Sequence, residues 1–184
     1  MTNPEKLFGR LGNKMFQMAY IYAQVKEGKL PDIYCQDPDL FEKYKEEIRQ
    51  WYGEGIGYIP QVGIHLRRGD YVNNPFYCSL WETGYYIDAC NLFPDRTFIV
   101  FSDDIEFAKI YFTGDKFAFD QSLDDLEAFN KFASCDGKII ANSSWSWWGA
   151  YLSQNTGKIV APTADKWYSS GKELTKCVKE WTRI

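Results

Sequence analysis

Between Ile64 and Tyr71 the chain reads Ile64-His65-Leu66-Arg67-Arg68-Gly69-Asp70-Tyr71, which places its sole histidine, two adjacent arginines and an acid within six positions. Val62-Gly63-Ile64 has the character of the end of a buried strand, and Gly69-Asp70 of the turn that follows. Charged side chains at the carboxyl end of such a strand stand where open α/β sheets bind ligands. Each guanidinium is a planar fork of donors matched to phosphate oxygens, so the chemistry indicated is capture of an anion, most simply a diphosphate. Alternation along a strand puts His65 and Arg67 on one face and sends Arg68 to the other face or into the loop. An Arg–Asp ion pair that only pins the turn is the competing reading.

Two more strand ends carry polar groups. Ser102-Asp103-Asp104 follows the apolar run Thr97 to Phe101. A carboxylate there can accept paired hydrogen bonds from a guanine N–H edge or grip a ribose hydroxyl. Ser and Asp are also favoured helix caps, which is the simpler reading from composition. Asn142-Ser143-Ser144-Trp145-Ser146-Trp147-Trp148-Gly149 opens a helix after a buried strand, and hydroxyls with backbone N–H groups in that setting bind anions. Three tryptophans in four positions cannot share one buried helix face. At least one should pack between helix and sheet while another lines a pocket. No third ligand at telling spacing accompanies the paired carboxylates, so no metal is expected.

The elements that position these groups follow from periodicity. Before Tyr58 the sequence reads as helices and loops. Asn13 is expected to cap a helix over Lys14 to Glu27 that buries Met15, Phe16, Ala19, Tyr20 and Ala23. Asp37-Pro38 starts a second helix with Leu40, Phe41, Tyr44, Ile48 and Trp51 inward and Gly53 at its stop. Beyond Tyr58, strands and helices alternate. Strands are expected at Val62–Leu66, Thr97–Phe101, Phe117–Phe119, Lys138–Ala141 and Lys158–Pro162. Helices are expected at Tyr85–Leu92, Ile105–Tyr111, after a Ser122/Asp125 capping box, at Trp145–Leu152 and, amphipathic, at Lys172–Trp181. Short apolar strands without alternation, separated by helices, indicate an α/β fold with a parallel sheet covered on both faces.

The totals set outer bounds. At 184 residues the chain suffices for one domain, or one domain with a small lobe. A net charge of −4 argues against a nucleic-acid partner, and makes the arginine pair a local positive site on an acidic protein. Aromatic content of 18%, with 7 Trp and 13 Tyr, suits either a sugar- or base-stacking surface or an aromatic core. Cys35, Cys78, Cys90, Cys135 and Cys177 are odd in number and lack CxxC spacing, so a reduced, cytoplasmic setting is expected. Met1 to Lys6 has no apolar signal region and no stretch approaches a membrane span, so a soluble protein is expected.

The three constellations, in this order, resemble the α-1,2-fucosyltransferases of glycosyltransferase family 11. That family carries His-x-Arg-Arg-Gly-Asp-Tyr, then Phe-Ser-Asp-Asp, then Asn-Ser-(Ser/Thr)-Phe-Ser-Trp-Trp-Gly-Ala. Its N-terminal Gly-x-Leu-Gly-Asn-x-Met-Phe-Gln is matched by Gly9 to Gln17, and its closing Lys-Ile-Val-x-Pro and Trp by Lys158 to Pro162 and Trp167. The resemblance implies a GT-B-type, Rossmann-like enzyme that moves L-fucose from GDP-fucose to the hydroxyl of a galactose-terminated acceptor, with inversion and with neither metal nor cofactor. It implies Arg67 or Arg68 on the diphosphate and His65 with Asp103 or Asp104 on the nucleoside. Ser143 and Ser144 would lie near the β-phosphate, Asn142 would also bind the donor, and Gly12 and Asn13 would approach it from across the cleft. Asp70 is the nearest candidate base. A homo-oligomer is left open.

Three departures from the family pattern stand beside this. The segment from Gln17 to His65 is much shorter than usual, and Met1 to Phe8 is polar where an apolar strand is expected. Residues 1–57 therefore read as a reduced, mainly helical N-terminal lobe, and 58–184 as the GDP-sugar-binding domain. Trp145 stands where the family has Phe. A protein that binds GDP-fucose without transferring it is the alternative, and a glycan-binding module using exposed tryptophans is a third reading.

Overall fold

The computed structural model describes residues 7, 9–28, 36–171 and 177–184. Its frame is a sheet of six parallel strands, β1 (Ile59–Leu66), β2 (Phe98–Ser102), β3 (Phe117–Phe119), β4 (Cys135–Ile139), β5 (Ile159–Ala161) and β6 (Thr182–Arg183), in the order β3-β2-β1-β4-β5-β6. This is the 3-2-1-4-5-6 order of doubly wound nucleotide-binding sheets, in which the direction of winding reverses between β1 and β4. The expected α/β, Rossmann-like parallel sheet is therefore present. Val62 to Leu66 are buried without a break, as befits a strand covered on both faces.

Among the described residues six helices flank the sheet: α1 (Leu11–Lys26), α2 (Lys45–Tyr52), α3 (Tyr85–Asn91), α4 (Ile105–Tyr111), α5 (Asp125–Ser134) and α6 (Ser144–Leu152). One face is covered by α3 and α4 over Val62, Ile64, Leu66, Tyr85, Tyr86 and Phe112. The other is covered by α1, α2, α5 and α6 in one shared core around Phe16, Phe41, Phe132, Trp147 and Trp148. Before β1 the described residues form helices and turns, apart from the bridge residue Gln36.

Several boundaries differ from the sequence reading. α1 buries all five expected residues, but it starts at Leu11, so Asn13 lies inside its first turn and is no cap. The Asn13 amide oxygen instead accepts hydrogen bonds from Ser144 (2.9 Å) and Gln36 (3.3 Å). The helix expected from Pro38 is broken into two 3-10 turns, Pro38–Leu40 and Glu42–Tyr44, before α2. Phe41 interrupts it at φ −136°, where its buried ring stacks on Trp148 at 5.6 Å. Leu40 and Trp51 consequently face outward, 38% and 43% exposed.

α5 is capped by Asp124, which accepts from the Glu127 N–H at 2.8 Å, rather than by Ser122. Ser122 is engaged with Asp120 and Lys131. Because α5 runs into β4 without a loop, that strand begins at Cys135 rather than Lys138. Lys138 is wholly buried, its amine donating to Cys135 O and to Ser153 Oγ at 2.8 Å. Of the helix expected over Lys172–Trp181, residues 172–176 lie outside the described residues and 177–181 are not helical. The edge strand β6 was too short to announce itself. Among the described residues no helix is long and apolar enough to cross a membrane.

Candidate active site

Where the winding reverses, a cavity of about 1050 Å³ opens over the carboxyl ends of β1 to β4. It is lined by His65, Arg67 and Asp70 at and just past the end of β1, by Ser102 and Asp103 at the end of β2, by 119–125 from the end of β3 onward, and by Asn142 to Trp145 after β4. Arg10, Gly12 and Asn13 at the start of α1 close it from the opposite side. Open α/β sheets hold ligands in this position because strand ends and helix N-termini converge there.

The two arginines part company just past the end of β1. Arg67 lies in the cavity, its side chain 11% exposed, and makes ion pairs with both Asp70 and Asp103. Asp103 is fixed in turn, its other oxygen accepting the Arg68 backbone N–H at 2.9 Å. Gly69 permits this, since a Cβ there would lie 2.3 Å from an Asp103 oxygen. Arg68 projects to the other face, pairs with Asp104 at 3.2 Å, and lies 3.8 Å over the Phe107 ring and 5.4 Å from that of Trp81. Asp104 caps α4 through the Phe107 N–H at 3.2 Å. Neither Arg68 nor Asp104 lines the cavity, so for Asp104 the capping reading holds.

His65 does face the cavity but is buried, with its ring 4.7 Å from Trp145. Burial, with the Arg67 charge beside it, pushes its pKa down to about 3, so the ring is neutral at physiological pH and its buried Nδ1 lacks a protein partner. A folded-state value below the ordinary 6.5 means that the unfolded chain binds the proton first, and stability falls as pH drops below that value. Between pH 8 and pH 5 this one group should remove about 2 kcal/mol, at about 1.4 kcal/mol per unit below its ordinary pKa. Urea denaturation of the wild type and of His65→Gln should show that extra loss in the wild type alone. Equal pH dependence in both would mean that His65 titrates normally.

The third constellation splits its labour. Asn142 is buried and donates to Cys78 O at 3.0 Å and Trp167 O at 2.9 Å, while its own carbonyl accepts from the Tyr71 hydroxyl at 3.0 Å. It thereby ties loops together under the cavity. Ser143 caps α6, accepting from the Trp145 N–H at 3.4 Å. Ser144 reaches across to Asn13. Gly12 lies so close to this turn that a Cβ would come within 2.6 Å of the Ser144 carbonyl carbon and 2.7 Å of the Trp145 nitrogen. The N-termini of α1 and α6 therefore converge in the cavity that Arg67 and Arg10 line, so oriented N–H groups and two guanidiniums can meet an anion there, although Asp70, Asp103, Asp120, Asp124 and Asp125 line the same cavity.

Trp147 and Trp148 are fully buried, and Trp145 floors the cavity with its indole N–H on Asp125 at 2.9 Å. Sequence reasoning missed Tyr77, Tyr168 and the 119–125 loop, all of which line the cavity. The loop follows a parallel strand and could have been found by the rule applied to the other three. Tyr77 and Tyr168 had no local signal, since their place depends on two distant loops meeting. Among the described residues no group of three or more His, Cys, Asp or Glu side chains is placed to hold a metal ion.

The sequence profile of Glycosyl transferase family 11 matches residues 10–184. The chain is 31% identical over 180 aligned residues to an alpha-1,2-colitosyltransferase of Escherichia coli, covering 82% of this chain and 61% of that protein. It is 31% identical over 134 residues to the O-antigen biosynthesis glycosyltransferase WbnK of Escherichia coli, covering 67% of this chain and 44% of the relative. The chain thus spans well short of the full length of either. No solved structure matches it.

Proposed function

This chain belongs to glycosyltransferase family 11, and on that premise we propose that it transfers L-fucose from GDP-fucose to a galactoside hydroxyl in α-1,2 linkage, with inversion and without a metal. The observation that carries the reading is the meeting of Arg67, Arg10 and the N-termini of α1 and α6 in one cavity at the sheet's reversal point. The α-1,2 linkage in the name of the colitosyltransferase relative supports the linkage.

In this reading the diphosphate lies on Arg67 and the α6 N-terminus. The nucleoside takes the arm over β2 and β3, between His65, Trp145 and residues 120–125. As the bond from the anomeric carbon to the β-phosphate breaks, negative charge grows on the departing GDP. Donors already fixed around it stabilise that charge more than they stabilise the ground state, which lowers the barrier. The acceptor oxygen attacks from the opposite face of the sugar and its proton passes to a base. Asp70 is our candidate. It is 57% exposed and paired with Arg67, so a phosphate that takes the guanidinium releases its carboxylate. Asp103, held by two donors, stays behind to aim Arg67.

The test has two stages. GDP and GDP-fucose should raise the melting temperature, since a ligand bound to the native state stabilises it, and GDP-mannose serves as control. Labelled transfer from GDP-fucose, and from GDP-colitose, to a panel of galactosides should then give an α-1,2 product. Asp70→Asn should keep donor binding and slow transfer at least tenfold. No response to any guanine nucleotide would remove the proposal. Binding without transfer to any galactoside would favour a donor-binding protein.

A further inference from the structure

On the side of Arg67 away from the proposed nucleoside arm, the cavity is walled by aromatic rings that the mechanism above does not use. Tyr71 and Tyr77 stack face to face, with centroids 3.8 Å apart and planes 4° from parallel. Tyr71 is rooted in the fold through its hydroxyl on Asn142 O, and the Arg67 guanidinium stands 5.4 Å from its ring. Tyr77 is only partly buried and lines the cavity. Its backbone forms an antiparallel bridge with Tyr168, reinforced by the Ser169 N–H on Phe76 O at 3.1 Å. Phe76 meets both Tyr77 and Tyr168 at 5.1 Å. Two loops far apart in sequence are thus zipped into one wall that starts at the anion-binding arginine and runs outward.

Tyr71 and Tyr168 of this wall are buried, but Tyr77 is only partly so and lines the cavity with a hydroxyl at its tip, which makes the wall more than core packing. A pyranose has one face of axial C–H groups that packs on an aromatic ring, and hydroxyls at its rim that bond to phenol oxygens and backbone. An aromatic side chain with an apolar body and a polar tip suits a surface that is half dry and half wet. We propose that the wall formed by Tyr77 over the buried Tyr168 is the acceptor subsite, and that it takes a β-galactoside ring packed against Tyr77. This rests on the transferase reading above. Its place follows from the chemistry. The anomeric carbon is tied to the phosphate at Arg67, the nucleoside fills the arm over β2 and β3, and an inverting attack must come from the side opposite the leaving phosphate.

The experiment reads acceptor and donor separately. Saturation-transfer NMR with methyl β-galactoside and lactose measures acceptor contact on the wild type, Tyr77→Ala and Tyr77→Phe. Titration calorimetry with GDP measures the donor site on the same proteins. We expect Tyr77→Ala to lose the galactoside signal, or to raise the acceptor KM at least tenfold. GDP affinity should stay within twofold, and Tyr77→Phe should restore the contact. Should Tyr77→Ala fail to fold, Tyr77→Leu, which keeps most of the volume without the ring, decides the matter. Unchanged galactoside contact, or GDP affinity lost in step with it, would overturn the subsite. A wild type that binds galactoside but no guanine nucleotide would instead remove the donor reading and leave the wall standing as a sugar site.

Discussion

Arg67→Ala should abolish transfer, lowering kcat/KM more than a hundredfold while the protein remains folded. Arg67 lies in the cavity between two carboxylates, and a fixed donor aimed at developing charge is worth about 3 kcal/mol or more. The loss is compounded because Asp70 and Asp103 would then face the diphosphate uncompensated, and a partly buried charge stripped of its partner is costly. Arg68→Ala should behave differently, although the residues are adjacent. Arg68 holds Asp104 and packs on Phe107 and Trp81 away from the cavity, so its removal should lower stability by about 1–3 kcal/mol and leave kcat within tenfold in the folded protein. Steady-state kinetics beside urea denaturation of both variants separates the two effects. Matching losses of activity with matching stability would refute the division of labour between them.

A second large effect is expected from the smallest change, Gly12→Ala. In an ordinary helix this replacement stabilises by up to about 1 kcal/mol. Here the added methyl would meet the Ser144 carbonyl carbon at 2.6 Å and the Trp145 nitrogen at 2.7 Å, both backbone atoms that cannot swing aside. α1 must move off α6, which breaks the Asn13–Ser144 bond and spreads the two helix N-termini. The expected outcome is a stability loss of about 1–3 kcal/mol and at least a tenfold weaker affinity for GDP, measured by denaturation and by calorimetry. A stable variant with normal GDP affinity would show that the close approach of the helices is not needed for donor binding.

How far the chain could be read in advance depended on whether the information was local. The strands Phe98–Ser102 and Phe117–Phe119 and helix Ile105–Tyr111 were legible because apolar runs and caps lie within a few residues of one another. The split between Arg67 and Arg68 was expected from the two-residue period of a strand, and both occupy the sides so assigned, although β1 itself ends at Leu66. Phe41 is buried as expected, but the cap at Asn13 and the unbroken helix through Phe41 were misread because their partners, Ser144 and Trp148, lie more than a hundred residues away, and no local pattern carries that information. β4 was misplaced since Cys135-Asp136-Gly137-Lys138 looks polar. The lysine is tolerated inside only because a carbonyl and a hydroxyl receive its amine. Tyr77 was invisible for the same reason as Asn13, its place being set by a meeting of loops.

The bond between Ser144 and Asn13 joins residues separated by 131 positions, and it also sets an order of events when the protein is made. α1 leaves the ribosome with Met15, Phe16, Ala19, Tyr20 and Ala23 ready to be buried, yet the tryptophans that cover Phe16 are synthesised more than a hundred residues later. At roughly 5–20 residues per second, that apolar stripe stays uncovered for on the order of ten seconds. The cleft therefore cannot form until both ends of that span have been made, and the nascent chain carries a sticky helix until then. Co-expression with a chaperone that holds apolar helices should raise the soluble yield more than lowering the strength of the promoter.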